Sequence, residues 1–152
     1  MVNAYPDTSF LFSLYVPQAH TARAAAAFAA MNEPLHLTSL SRFELVNAIR
    51  LAAFRKTIPA KHAQASLSAM EDDIATGLVA LIPCDWAAVH GRALQIANQH
   101  TGKGGHRGFD ILHVATALEL GAKEFLTFDA QQTRLAKAVG LKAILMHSGG
   151  FD

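Results

Sequence analysis

Three aspartates in this chain share a local setting in which a short apolar stretch gives way to a helical one. Asp7 and Asp129 each follow a strand-like stretch, and Asp110 stands in the first turn of an apolar helical run. The positive N-terminal end of a helix favours aspartate there. In parallel sheets with crossover helices, the carboxyl ends of the strands lie on one side, where ligand sites form. We therefore expect these aspartates to converge, joined by Glu44 from the start of a helix that also follows a strand candidate.

Carboxylate oxygens are hard ligands that suit Mg²⁺ or Mn²⁺, and these ions usually keep several waters. Asp7, Asp110 and Asp129 fit the role of metal ligands. An ion held there would lower the pKa of a bound water and stabilise charge on a phosphodiester, which is hydrolysis without a nucleophilic side chain. As alternatives, Asp110 and Asp129 are simple helix caps and Glu44 is a solvated helix residue. Caps alone do not require four acids at one sheet end.

The elements that must position these acids alternate between strands and helices, which predicts an α/β fold with a parallel sheet and helices on both faces. The chain has 152 residues, 51% hydrophobic and 16% charged, so we expect one globular domain over residues 1–147 and a tail at 148–152. Strands are predicted at 2–5, 35–38, 79–82, 124–127 and 142–145. Helices are predicted at 9–14, 19–31, 41–53, 59–75, 86–98, 107–121 and 130–139.

Composition limits the partners and the compartment. Thirteen Lys and Arg stand against twelve Asp and Glu, giving a net charge of +1, so any contact with nucleic acid must be local. Cys84 is the only cysteine, which excludes an intramolecular disulfide. The apolar run 24–31 is too short to span a bilayer. We expect a soluble cytoplasmic protein with no membrane partner.

Further candidates lie close to the acids in sequence. Thr127 precedes Asp129 by two residues and so points to the same side of a strand, where it could support the site. His113 follows Asp110 by three and either faces the site or is a hydrogen-bonded core histidine. The aperiodic stretch 101–108 either binds phosphates or is a mobile solvated loop, and its basic residues are Lys103, His106 and Arg107. Trp86, the phenylalanines and the methionines are assigned to the core.

The first acidic motif argues against two other classes of protein. A phosphotransferase with an aspartyl nucleophile commonly wants a second acid two residues after Asp7, but Ser9 stands there. Rossmann and P-loop nucleotide binders need a glycine-rich turn after the first strand, and the residues after Asp7 supply none. The later glycines follow a helix instead.

The ordered set of acids, in these local sequences, resembles the PIN-domain nucleases and most closely the VapC-like toxins of bacterial toxin–antitoxin pairs. No single motif carries the resemblance, which runs essentially from end to end. The matching pieces are Asp7-Thr8-Ser9-Phe10-Leu11, the helix of Glu44, Phe109-Asp110-Ile111-Leu112-His113-Val114-Ala115 and Leu126-Thr127-Phe128-Asp129.

The resemblance implies a single PIN-like domain with a five-stranded parallel sheet in the order 3-2-1-4-5. It implies a Mg²⁺- or Mn²⁺-dependent endoribonuclease, the toxin of a type II pair, whose partners are RNA, a second copy of the chain and an antitoxin. That antitoxin would inhibit through a basic C-terminal segment. Glu44 would either complete the inner metal shell or orient a metal-bound water, and Thr8 or Ser9 would position water or substrate. The alternative is a non-catalytic PIN-like module whose acidic pocket receives a basic partner segment.

Overall fold

The computed structural model describes residues 2–145. These divide into a terminal unit, residues 2–7 with 83–145, and a middle unit, residues 8–82. In chain order the elements are β1 (Ala4–Pro6), α1 (Thr8–Tyr15), α2 (Thr21–Ala29), β2 (Leu35–Leu37), α3 (Ser39–Phe54), α4 (Ala60–Thr76), β3 (Val79–Leu81), α5 (Trp86–Ile96), a π-helical turn (Ala97–Thr101), α6 (Gly102–Gly104), α7 (Gly108–Glu119), β4 (Glu124–Thr127), α8 (Ala130–Ala138) and β5 (Lys142–Leu145).

The terminal unit contains a parallel three-stranded sheet in the order β1-β4-β5. Ala4 pairs with Glu124 and Pro6 with Leu126, so β1 and β4 end at the same level. Pro6 is the last residue of its strand, where its missing N–H costs the sheet least. Since the strands are parallel and adjacent, the residues that follow β1 and β4 emerge side by side.

The core of the terminal unit forms where helices pack on this sheet and on one another. Helix α5 packs on α7, and α8 packs on β4 and β5. Tyr5 and Phe125 are fully buried on neighbouring strands, with stacked rings whose centroids lie 5.8 Å apart. Helix α7 buries six consecutive or near-consecutive side chains from Ile111 to Ala117, which explains its almost uninterrupted apolar sequence.

The middle unit pairs β2 with β3 in parallel, with Leu35 opposite Val79. Helix α1 packs on α2, α3 and α4, and α3 packs on α4. The hydroxyl of Thr38 accepts a hydrogen bond from the Ser41 N–H and so caps α3, while Gly77 ends α4 with a φ of +82°. That conformation is one a glycine adopts without strain.

The α/β class and every predicted strand and helix are confirmed, with most ends moved by one or two residues. The strand pairings account for the neighbours 3-2 and 1-4-5 of the predicted sheet. The full order 3-2-1-4-5, the helices on both faces and the single domain at 1–147 stay predictions. The tail at 148–152 lies outside the described residues. No helix within residues 2–145 has the length and hydrophobicity to cross a bilayer.

Two predictions were wrong. Residues 101–108 are not all loop, because the chain continues from α5 through the π-helical turn and α6 before Gly105 stops it with a φ of +66°. The Gly105 N–H donates to the Thr101 carbonyl at 2.7 Å, a local bond that hydrophobic periodicity does not reveal. The phenylalanines are not all core either, since three of them are largely exposed: Phe43, Phe54 and Phe109.

Candidate active site

Asp7 is held at the carboxyl end of β1. Its N–H donates to the Leu126 carbonyl at 3.0 Å, which extends the pairing of β1 with β4 by one bond. Its side chain is buried, 3% exposed, and Oδ2 accepts a 2.6 Å hydrogen bond from the Thr127 hydroxyl. Asp7 is therefore a fixed acidic group at this sheet end.

Thr127 links the first acid to the last. While its Oγ1 donates to Asp7, the same atom accepts a hydrogen bond from the Asp129 N–H at 3.0 Å. A hydroxyl has one hydrogen to give and two lone pairs to receive, so both bonds are satisfied at once. The predicted placement of Thr127 beside Asp129 thus corresponds to a buried bridge between two acids.

Asp129 is the N-cap of α8. Its backbone is extended and its Oδ1 accepts a 2.9 Å bond from the Gln132 N–H, while the residue as a whole is exposed. The capping role is real, and it is compatible with a second role because a carboxylate offers two oxygens and about four lone pairs. Capping also fixes the direction in which the side chain points.

Asp110 is the third residue of α7 and is half-buried, as the sequence predicted for the first turn. It is not the cap of that helix, whose N-cap position is Arg107. Its carbonyl accepts a 3.2 Å bond from Nε2 of Gln132, the residue whose N–H binds Asp129. Asp7, Thr127, Asp129, Gln132 and Asp110 therefore form one hydrogen-bonded chain, which we call the three-aspartate network.

The remaining acid and two of the predicted supporting residues belong to the middle unit. Glu44 is half-buried in the second turn of α3. Thr8 and Ser9 open α1 and are also half-buried, and the Ser9 carbonyl accepts a 2.8 Å bond from the Ser13 hydroxyl. The place of these three residues in the acidic site stays a prediction.

His113 lies in the core, 1% exposed, with Nδ1 2.8 Å from the Tyr5 hydroxyl. Its ring centroid is 5.9 Å from that of Tyr5, which in turn stacks on Phe125. This buried pair ties α7 to β1, the elements that carry Asp110 and precede Asp7. The geometry matches the core alternative given for His113 above.

The basic residues near the site belong to a turn that is held by hydrogen bonds from Gln131. The side-chain amide of Gln131 donates to the Gly104 carbonyl at 3.0 Å and to the Gly105 carbonyl at 3.3 Å. The His106 ring lies over Gly104 so closely that a Cβ there would collide with it. Gln131 is two residues beyond Asp129, so the turn is anchored close to that acid. The basic side chains of the turn are Lys103, His106 and Arg107, of which Lys103 and Arg107 are exposed.

No role for Gln131 or Gln132 is predicted from the sequence. A signal was present, because an N-cap aspartate followed three residues later by glutamine is the pattern of a capping box. In a capping box the glutamine would reach back to the Asp129 N–H. Thr127 already accepts from that N–H, so the Gln132 side chain bonds Asp110 instead.

The oxygen atoms of the site are of the type that a hard divalent ion prefers. They are carboxylate oxygens, together with the buried Gln132 Oε1, which has no hydrogen-bond partner among residues 2–145. Within the same residues no three His, Cys, Asp or Glu side chains are arranged closely enough to hold an ion as they stand. Mg²⁺ usually binds proteins through one or two carboxylates plus waters, so the residues fit a partly hydrated ion.

The PIN-domain family model matches residues 4–138, and the chain belongs to the PIN-domain family. Its fold is similar to that of VapC20 from Mycobacterium tuberculosis, a toxin that cleaves the sarcin–ricin loop (TM-score 0.65, 18% identity, 91% of this chain and 96% of that one).

Two further solved structures share the fold. They are VapBC-1 from nontypeable Haemophilus influenzae (TM-score 0.61, 18% identity, 95% and 97% of the chains covered) and FitAcB from Neisseria gonorrhoeae (0.60, 18%, 92% and 95%). A search of curated protein sequences returned no significant match. The predicted PIN-domain membership and VapC-like fold are confirmed.

Proposed function

We propose that this PIN-domain protein is a Mg²⁺- or Mn²⁺-dependent endoribonuclease and the toxin of a type II toxin–antitoxin pair. The observation that carries the proposal is the three-aspartate network, which joins the carboxylates of Asp7 and Asp129 and the backbone carbonyl of Asp110 in one set of hydrogen bonds. Capping explains the bond from the Gln132 N–H to Asp129, but it does not explain why the Thr127 hydroxyl joins Asp129 to the buried Asp7.

In this proposal Asp7, Asp110 and Asp129 hold the ion, and Glu44 is the fourth acid of the site. When bound, the ion would supply an activated water and would offset the charge that builds on the phosphodiester. Thr127 keeps the Asp7 carboxylate in one orientation, and Gln132 spaces α7 from α8. The exposed Lys103 and Arg107, with His106, would bind phosphates on either side of the cleaved bond.

The proposed substrate and partners follow from the family and the neighbours. VapC20 is a toxin that cleaves the sarcin–ricin loop, and VapBC-1 and FitAcB share its fold. For this chain we propose RNA, a second copy of itself and an antitoxin whose basic C-terminal segment would enter the acidic site. Opposite charge would make such a segment a competitor of the ion. The alternative is a non-catalytic module that uses the same acidic pocket to bind such a segment and does not cleave RNA.

The test compares cleavage of total cellular RNA with Mg²⁺ or Mn²⁺ and with excess EDTA, for wild type, Asp110→Asn and Asp85→Asn. Asp85 is an exposed acid outside the three-aspartate network that caps α5, accepting from the Ala88 N–H at 3.1 Å. We expect EDTA and Asp110→Asn to stop cleavage and Asp85→Asn to leave it intact. Without metal, Asp110→Asn should melt several degrees higher than wild type, because it removes one of the like charges that the proposed site brings together.

Undiminished cleavage in EDTA would overturn the metal mechanism. An Asp110→Asn variant that is active, or that keeps the wild-type melting temperature in EDTA and the wild-type response to Mn²⁺, would overturn the acidic site. Wild-type protein that binds Mn²⁺ and a basic peptide yet cleaves no RNA would favour the non-catalytic alternative.

A further inference from the structure

Gln132 is buried, 3% exposed, and only one end of its side-chain amide is bonded. Nε2 donates to the Asp110 carbonyl at 3.2 Å. Because a carbonyl oxygen can only accept, the amide nitrogen must face Asp110 and the amide oxygen must face away from it. That Oε1 is buried and has no hydrogen-bond partner among the described residues.

A buried carbonyl without a donor is destabilising, and native proteins keep few of them. Gln132 is held in this position at two points, because its backbone N–H donates to Asp129 and its Nε2 donates to the Asp110 carbonyl at the start of α7. The side chain is therefore held between two of the three aspartates with its oxygen unused. A bond made only when the site is loaded would account for this.

We propose that Gln132 Oε1 is a ligand-facing acceptor of the acidic site, which receives an O–H donor when ion or substrate is bound. The proposal rests on the proposed nuclease function. Two sources supply such a donor, a water carried by the divalent ion and the 2′-hydroxyl of a ribose. An amide oxygen suits either one, because it accepts strongly without adding a further negative charge beside three carboxylates and a phosphodiester.

The test uses Gln132→Met, which keeps the length of the side chain and removes both polar ends, with Gln95→Met on an exposed position of α5 as the control. The first arm measures Mn²⁺ affinity by calorimetry without RNA. The second arm measures, by stopped-flow anisotropy before turnover, the ratio of the dissociation constants for an RNA oligonucleotide and its 2′-deoxy counterpart. Melting temperature in EDTA is recorded for each variant.

If the donor is the water of the ion, Gln132→Met lowers Mn²⁺ affinity about tenfold or more and leaves the RNA-to-DNA ratio unchanged. If it is the ribose hydroxyl, the preference for RNA falls about tenfold and Mn²⁺ affinity is unchanged. In both cases the variant melts near wild type in EDTA, since it loses one hydrogen bond and one unpaired carbonyl together.

A purely structural glutamine predicts the reverse, a lower melting temperature with both affinities kept, and that result overturns the proposal. Should Gln132→Met fail to fold, Gln132→Leu, which also lacks both polar ends, takes its place; one of the two tenfold losses is expected, and wild-type values of both quantities overturn the proposal. Wild-type protein that binds Mn²⁺ and cleaves RNA while Gln132→Met changes neither affinity refutes the role of Gln132 alone. Wild-type protein that does neither refutes the proposed function as well.

Discussion

Thr127 is the residue on which the geometry of two acids depends. Its hydroxyl donates to Asp7 at 2.6 Å and accepts from the Asp129 N–H at 3.0 Å, and it has no exposure to solvent. Valine has nearly the same shape but can make neither bond. Serine can make both.

We expect Thr127→Val to destabilise the fold by about 1–3 kcal/mol, because a buried carboxylate and an N–H lose their partner, and to weaken Mn²⁺ binding. Thr127→Ser should stay within about 1 kcal/mol of wild type. Urea denaturation and calorimetry measure the two effects. Thr116→Val is the matched control, since the buried Thr116 hydroxyl donates to the Leu112 carbonyl within α7. Equal losses at Thr116 and Thr127 would deny the bridge any special role.

Residues such as Thr127 could be predicted because the alternation of a strand places them from local sequence alone. Asp110 and Asp129 were predictable for a similar reason, as acids at helix starts. Gln132 was not, because its side-chain partner is 22 residues away and reaches it only through the packing of α7 on α8. The local sequence instead indicates a capping box, but the Thr127 hydroxyl takes the place of the Gln132 side chain as the acceptor of the Asp129 N–H.

At the scale of elements, the turn that carries Lys103, His106 and Arg107 is shaped by glycine. Gly104 admits the His106 ring against its α-carbon, where an added Cβ would lie 2.9 Å from His106 Cε1. Gly102, two residues earlier in the same short helix, has open space around the same position. The two glycines therefore offer matched substitutions with different steric outcomes.

Gly104→Ala should displace the His106 ring and weaken RNA binding several-fold, with a smaller slope of log affinity against log salt. Gly102→Ala should bind RNA as wild type does, because alanine only improves helix propensity there. Fluorescence anisotropy over a salt series measures both. Identical salt slopes for the two variants would indicate that this turn is solvated and does not bind RNA phosphates.

The helical ending of α5 shows where element prediction fails. Residues 97–104 hold glycine and polar side chains without apolar periodicity, and their structure rests on backbone bonds and on Gln131 from α8. Hydrophobic periodicity detects only faces that are buried. It therefore found the strands and the long helices and missed this turn.

Helices α1 and α4 of the middle unit are joined by a buried tyrosine. The Tyr15 hydroxyl donates to Asp73 Oδ2 at 2.7 Å. Burial, then the hydrogen bond to Asp73 and its charge, raise the pKa of Tyr15 well above its ordinary value. The folded protein therefore holds a proton that the unfolded chain loses above about pH 10. Stability from this group is complete below that pH and declines as the pH rises.

We expect the urea midpoint of wild type to fall more steeply between about pH 8 and about pH 10.5 than that of Tyr15→Phe. At about pH 8 the variant should be less stable by about 1.5–3 kcal/mol, the usual value of a hydrogen bond to a charged group. Denaturation curves at both pH values measure the difference. Parallel pH profiles would show that Tyr15 does not stay protonated through burial.

At the scale of the whole molecule, the protein has a net charge of +1 and its largest exposed apolar side chains include three on α3. Phe43, Leu51 and Phe54 are 61%, 37% and 83% exposed, and the spacing of 11 residues between the two phenylalanines places them on one helical face. Exposed aromatic side chains in such a group are typical of protein interfaces. With so small a net charge, electrostatic repulsion does little to oppose association.

We therefore expect the predicted homodimer to use this face of α3, in which case one substitution acts twice across a two-fold axis. Phe54→Asp should lower the association constant at least tenfold in sedimentation equilibrium and should remove the dependence of melting temperature on protein concentration, since dimer formation stabilises only the folded state. Leu94→Asp, at a similarly exposed leucine on α5 of the terminal unit, should change neither.

RNA cleavage per chain should survive Phe54→Asp wherever the monomer is folded, because every acid of the three-aspartate network comes from the same chain. A wild type that stays monomeric at the highest concentration, or a Phe54→Asp variant that associates as tightly as wild type, would contradict a homodimer that forms through α3.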